Sequence, residues 1–254
     1  MTELLDFGEH AARLENLYVS CSRLSSLPDT LGRLAALTTL NLGSNAITAL
    51  PDSLCRLSVL RNLRISCSAL TELPESIGHL AMLRSLALME CNALTKLPSS
   101  IGKFAALSNL DIWDCGVLTS LPTSVREVAS LENLVLFRCE RFQELPDLPP
   151  TLSFLCVNSC ELLNRLPKSL AYLADDAIVS IHHVQSMIFP RILWYAQIGP
   201  QNCAKSIREF MQAHHKPMQY LCVLLCAQHA HMQHLSNELW VMMIEGEWSQ
   251  SEDE

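Results

Sequence analysis

The stretch LSNLDIWDCGVLTSLP, residues 107–122, decides the fold. Leu110-Asp111-Ile112 alternates apolar and polar residues, the period of a strand with one face buried. If Leu110 and Ile112 point into a core, then Asn109, Asp111 and Trp113 lie on the opposite face. A tryptophan set between Asp111 and Asp114 is then a surface residue facing something other than the core.

Working outward, the same pattern returns along most of the chain. Segments beginning at Leu14, Leu37, Leu60, Leu83, Leu107, Leu131 and Leu152 are spaced 23, 23, 23, 24, 24 and 21 residues apart. They read LENLYVSCSRL, LTTLNLGSNAI, LRNLRISCSAL, LRSLALMECNAL, LSNLDIWDCGVL, LENLVLFRCERF and LSFLCVNSCELL. Each is followed by a Leu-Pro pair, at 27–28, 50–51, 73–74, 97–98, 121–122, 145–146 and 166–167. A fixed period of this length marks a solenoid, in which stacked neighbours supply the core that no single repeat can bury.

These residues resemble the leucine-rich repeat family, LxxLxLxx(N/C)xxL, in its Leu-Pro form, over residues 14 to 170. The resemblance implies an α/β solenoid: seven parallel strands forming a concave sheet, with short helical turns on the convex side. The Asn/Cys position, held by Asn45, Cys91, Cys115, Cys139 and Cys160, is expected to turn the chain inward. Cys21 and Cys67 come one residue early, which leaves the register of those two repeats open. On the convex side, PESIGHL (74–80) and PSSIGKF (98–104) suggest turns opened by proline and capped by Ser76 or Ser100. LPDLPPTL (145–152) has three prolines and is expected to be extended. That shorter connection is similar to repeats of bacterial effectors injected into host cells, whereas the first six repeats resemble those of cytosolic plant and animal proteins.

Two columns of residues map the concave face. One reads Ser20, Gly43, Ser66, Met89, Trp113, Phe137 and Asn158; the other reads Tyr18, Asn41, Arg64, Ala87, Asp111, Val135 and Cys156. Met89, Trp113 and Phe137 make an apolar ridge flanked by Val135, with Glu90, Asp111 and Asp114 beside it and Arg138 following. Tyr18 and Arg64 stand out from the small polar residues of repeats one to three. An apolar centre with a charged rim is the composition of a protein-binding hot spot. These ten residues are therefore the candidate partner-binding set. The second reading is that this chain's own C-terminal region folds back and fills the ridge.

Composition narrows the function classes. With 49% hydrophobic residues the 254-residue chain can bury a large core. A formal charge of −8, with four of 18 basic residues beyond position 170, argues against nucleic acid as a partner. The acidic start MTELLDFGEH lacks the features of a secretory signal, and the apolar run 220–227 is too short to cross a bilayer. Eleven cysteines, most at one phase of the repeat, are better read as packing in a reducing, cytoplasmic setting than as a disulfide framework.

Residues 1–13 are expected to cap the solenoid, and 171–247 to form a helical unit ahead of an acidic tail, 248–254. Helix-like spacing runs over 172–189, 203–216 and 218–247, broken at Pro190, Pro200 and Pro217. Seven of the nine histidines fall in this unit. Cys222, Cys226 and His229 share a helical face, with His214 or His215 as a fourth ligand for zinc, but LCVLLCA reads as core, and neither metal nor cofactor is assigned. No Cys-x-Asp, P-loop, HExxH or nucleophile elbow is present, leaving Cys203, Cys222 or Cys226 beside a histidine as the conceivable nucleophiles. The expected function is a non-enzymatic recognition module, a monomer or weak oligomer, that binds another protein on its concave face, in the cytoplasm or after delivery into a host cell. The alternative is a ubiquitin ligase that uses the repeats for substrate recognition and the helical unit as effector.

Overall fold

The computed structural model describes residues 13–174 and 177–182. Eight strands lie in one parallel sheet in chain order: β1 (Asn16–Ser20), β2 (Thr39–Ser44), β3 (Asn62–Cys67), β4 (Ser85–Met89), β5 (Asn109–Trp113), β6 (Asn133–Phe137), β7 (Phe154–Asn158) and β8 (Ile178–His182). The register is unbroken, Leu17 pairing with Leu40, then Leu63, Leu86, Leu110, Leu134, Leu155 and Val179. The leucines from 40 to 155 in this row are buried, and so are their strand partners Leu42, Ile65, Leu88, Ile112, Leu136 and Val157. Each such side chain contributes roughly 1.5–3 kcal/mol of burial. The column exists only because each repeat covers the next.

The sheet has one strand more than the seven repeats read from sequence. Residues 178–182, whose spacing suggests a helix, form β8 against β7. The pairing of Leu155 with Val179 puts Asp176 where the other repeats begin on leucine, and no Leu-Pro pair follows. That departure hides the eighth repeat from a search for the motif. The cap expected over 1–13, apart from Arg13, the helices expected beyond 182, the cysteines and histidines weighed as zinc ligands, and the tail lie outside the described residues.

On the convex side the turns are single 3-10 turns, Asp29–Arg33, Asp52–Arg56, Glu75–His79, Ser99–Lys103, Thr123–Glu127 and Lys168–Tyr172. Five residues are too few for a stable α-helix but suit one tight turn. The residue preceding each is proline, with φ between −64° and −77°, and none has a side-chain cap. The expected caps are thus absent. Ser76 instead donates its hydroxyl to Asp52 Oδ1 of the preceding repeat, and Ser100 is buried with its hydroxyl unpartnered. No 3-10 helix forms between β6 and β7; the chain over 145–149 is extended as its prolines require and then makes a single turn, the Leu152 amide donating to the Pro149 carbonyl at 3.2 Å.

Stacking is closest where glycine occupies the turn. A Cβ on Gly78 would lie 2.3 Å from the carbonyl oxygen of Ser100, and one on Gly32 would meet Ser53 at the same distance. The neighbouring backbone occupies the space a side chain would need.

Candidate functional site

Two kinds of repeat build the concave rim. In β2 and β3 the buried residue after the strand core is Ser44 and Cys67, which pair with one another. The Ser44 hydroxyl donates to the carbonyl of Leu24 at 2.6 Å, while Asn45 is exposed. The inward-turning role expected of Asn45 therefore belongs to Ser44, and Cys67, the early cysteine, stands in register with it.

The next four repeats carry one extra residue at this point: Glu90, Asp114, Arg138 and Ser159. All four have positive φ, from 52° to 54°. A left-handed residue lets the chain take an additional step outward and then return Cys91, Cys115, Cys139 and Cys160 to the core. The conformation costs an L-residue roughly 1–2 kcal/mol, offset here by a backbone bond to the next repeat. The Glu90 amide donates to the carbonyl of Trp113 (2.9 Å), that of Asp114 to Phe137 (2.8 Å) and that of Arg138 to Asn158 (2.9 Å).

The thiols behind them form a ladder. Cys91, Cys115 and Cys139 donate weakly to the carbonyls of Ile65, Leu88 and Ile112 in the preceding repeat, at 3.7–3.8 Å. Burial pushes the Cys67 thiol up to about 11, with the neighbouring Cys91 adding to the rise. The hydrogen bond shared with Cys91, reinforced by burial, holds Cys115 far above the ordinary thiol range, and Cys160 stands in the same relation to Cys139. The same hydrogen bonds draw Cys91 and Cys139 below the ordinary thiol range, but all five thiols, those of Cys67, Cys91, Cys115, Cys139 and Cys160, are buried.

In front of the ladder, Met89, Trp113 and Phe137 are consecutive register partners on β4, β5 and β6. Trp113 is 38% exposed; Met89 and Phe137 are half-buried. The indole and the Phe137 ring are 5.3 Å apart at 42°, a tilted contact that fixes both rings. Asp111 lies between Ala87 and Val135 in the adjacent column, and burial raises its carboxyl above the usual range. Asp114 is held by Arg138, Nε to Oδ1 3.1 Å. Glu90 is exposed at the same rim.

Of the ten candidates, Met89, Glu90, Asp111, Trp113, Asp114, Val135, Phe137 and Arg138 fall on three adjacent strands and the turns that follow them. Arg64 is exposed on β3, and Tyr18, 67% exposed, lies on β1. At about 4.8 Å per strand, Tyr18 is roughly 19 Å from Trp113, and the eight-stranded face spans about 34 Å. Tyr18 is therefore no part of the ridge.

A third concave column adds what the two-column map lacks. Asn109 and Asn133 form a polar step, Asn133 Nδ2 donating to Asn109 Oδ1 at 2.8 Å, and Phe154 and Ile178 continue it as an apolar end. Ile178 is 40% exposed. Phe154 shares the phase of Asn133, so its position was readable from the repeat; Ile178 depended on β8.

A family model described as "Leucine-rich repeat region" matches residues 52–237, and one described as "Leucine rich repeat" matches 12–66. The chain belongs to the leucine-rich repeat family. The fold is similar to the leucine-rich repeat domain of the type III effector XopL, at 25% identity over 72% of this chain and 74% of that one, with a TM-score of 0.54. A leucine-rich repeat protein of Leptospira interrogans is also similar, at 25% identity over 75% of this chain and 63% of that one, with a TM-score of 0.47. A search of curated proteins finds no match. Solenoids of this kind present their concave surface to protein partners. Among the described residues no helix is long and apolar enough to cross a membrane.

Proposed function

We propose that the protein is a recognition module whose concave face binds another protein or a peptide, with Met89, Trp113 and Phe137 as its centre. The observation that carries this reading is the exposure of Trp113 within a contiguous apolar column of three register partners. Isolated exposed hydrophobics are ordinary on any protein. Three register partners rimmed by Glu90, Asp114 and Arg138 have the arrangement of an anchor and its polar border. The likeness to the repeat domain of a type III effector supports action inside a host cell as the setting.

The test is capture of a partner by wild-type protein and by the Trp113→Ala/Phe137→Ala double variant. Loss of a central aromatic pair is expected to cost about 2–4 kcal/mol of binding. A partner retained equally by both forms removes the ridge from the function.

A further inference from the structure

Resting on that reading, the chemistry around Asp111 narrows the class of partner. Its carboxylate is half-buried, and among the described residues no hydrogen bond or ion pair reaches it. The neighbours across the sheet, Ala87 and Val135, have no side-chain polar atom to offer. Arg64 is two strands away, roughly 10 Å along the sheet, and makes no ion pair with it. Arg138, just past the end of the adjacent strand β6, is engaged with Asp114. Glu90 at the rim adds a second negative charge with no ion pair among the described residues.

A partly desolvated carboxylate without a counter-ion is costly in the free protein. Burial already draws its carboxyl upward, as expected for a charge lacking compensation. A cation arriving from outside recovers that cost. Trp113 stands two residues along the same strand, on the same face, and indole is the aromatic side chain that best attracts a cation over its ring.

We propose that Asp111 and Trp113 together receive a lysine or arginine side chain of the partner, while Met89 and Phe137 receive an apolar residue next to it. The face thus reads a basic-and-apolar peptide segment rather than an apolar one alone. The chain's formal charge of −8 favours approach of such a segment.

The probe is a phage-displayed library of random twelve-residue peptides, selected on the full-length protein. The expected result is enrichment of peptides with Lys or Arg beside an aromatic or aliphatic residue. Asp111→Asn should weaken them by about tenfold to a hundredfold, the range of a charge-assisted hydrogen bond. Replacing the peptide's basic residue with methionine should produce the same loss without altering the protein, and should add little in the Asp111→Asn background. Enriched peptides without basic residues, or peptides indifferent to Asp111→Asn, overturn this inference; if Trp113→Ala still abolishes their binding, the concave reading stands. Binding that survives both Asp111→Asn and Trp113→Ala overturns both. A library that yields no binder also counts against the basic-segment assignment.

Discussion

Asp114 and Arg138 occupy the same place in successive repeats, both with left-handed backbone, and their side chains meet at 3.1 Å across the rim. The extra residue in these repeats thus both returns a cysteine to the core and lines the concave rim with charge. The pair is solvent-exposed, with side-chain exposures of 33% and 61%. A double-mutant cycle with Asp114→Asn and Arg138→Gln should therefore give a coupling below about 1 kcal/mol, falling further in high salt.

Glu90 bears the same backbone conformation without an ion pair among the described residues. Asparagine tolerates left-handed φ better than glutamate. Denaturant titration of Glu90→Asn should show stability unchanged or raised by up to about 1 kcal/mol, whereas Glu90→Val should lower it by about 1–2 kcal/mol.

Gly78 and Gly116 make a controlled comparison. A methyl group at 78 would collide with the Ser100 carbonyl at 2.3 Å, while one at 116 would meet nothing within 4 Å. Gly78→Ala should cost about 1–3 kcal/mol in a melt or titration, and Gly116→Ala close to none. Equal costs would mean that the turns do not stack as closely as described.

The thiol ladder predicts a pH dependence. Cys67 has its ordinary value near 9 when unfolded and about 11 when folded, because burial disfavours the thiolate. The folded state then holds a proton that the unfolded state has released, so stability is fully present below pH 9 and falls as pH rises through 11. Melting temperature should decline across that window, and Cys67→Ala should flatten the decline. The same burial predicts that Cys67, Cys91, Cys115, Cys139 and Cys160 resist alkylation until the protein unfolds.

The solenoid was legible because leucine phase and the Leu-Pro pair are repeated by every motif-bearing turn, and a period-two strand fixes which neighbours face outward. That same phase identified Trp113 and Phe137. Asn45 misled because identity at a motif position outranked length: the stretch from the opening leucine to the buried position is a residue shorter than in the repeats from 83 onward, so the buried place falls on Ser44. The left-handed residues carried no composition signal, since glutamate, aspartate, arginine and serine share no preference for that conformation. β8 was hidden because Asp176 replaces the opening leucine, although Val179 and Ile181 keep the alternation. A truncation intended to isolate the solenoid should accordingly retain residue 182, since ending at 170 removes β8 and uncovers β7.

The central claim is that Leu110 and Ile112 hold the fold while Trp113 and Phe137 hold the partner. Thermal melts and peptide binding on the same samples test it most directly. Leu110→Ala should lower stability by about 2–5 kcal/mol. Trp113→Ala/Phe137→Ala should cost less than Leu110→Ala in stability and abolish binding. A double variant that melts as low as Leu110→Ala, or one that still binds as tightly as wild type, contradicts the account.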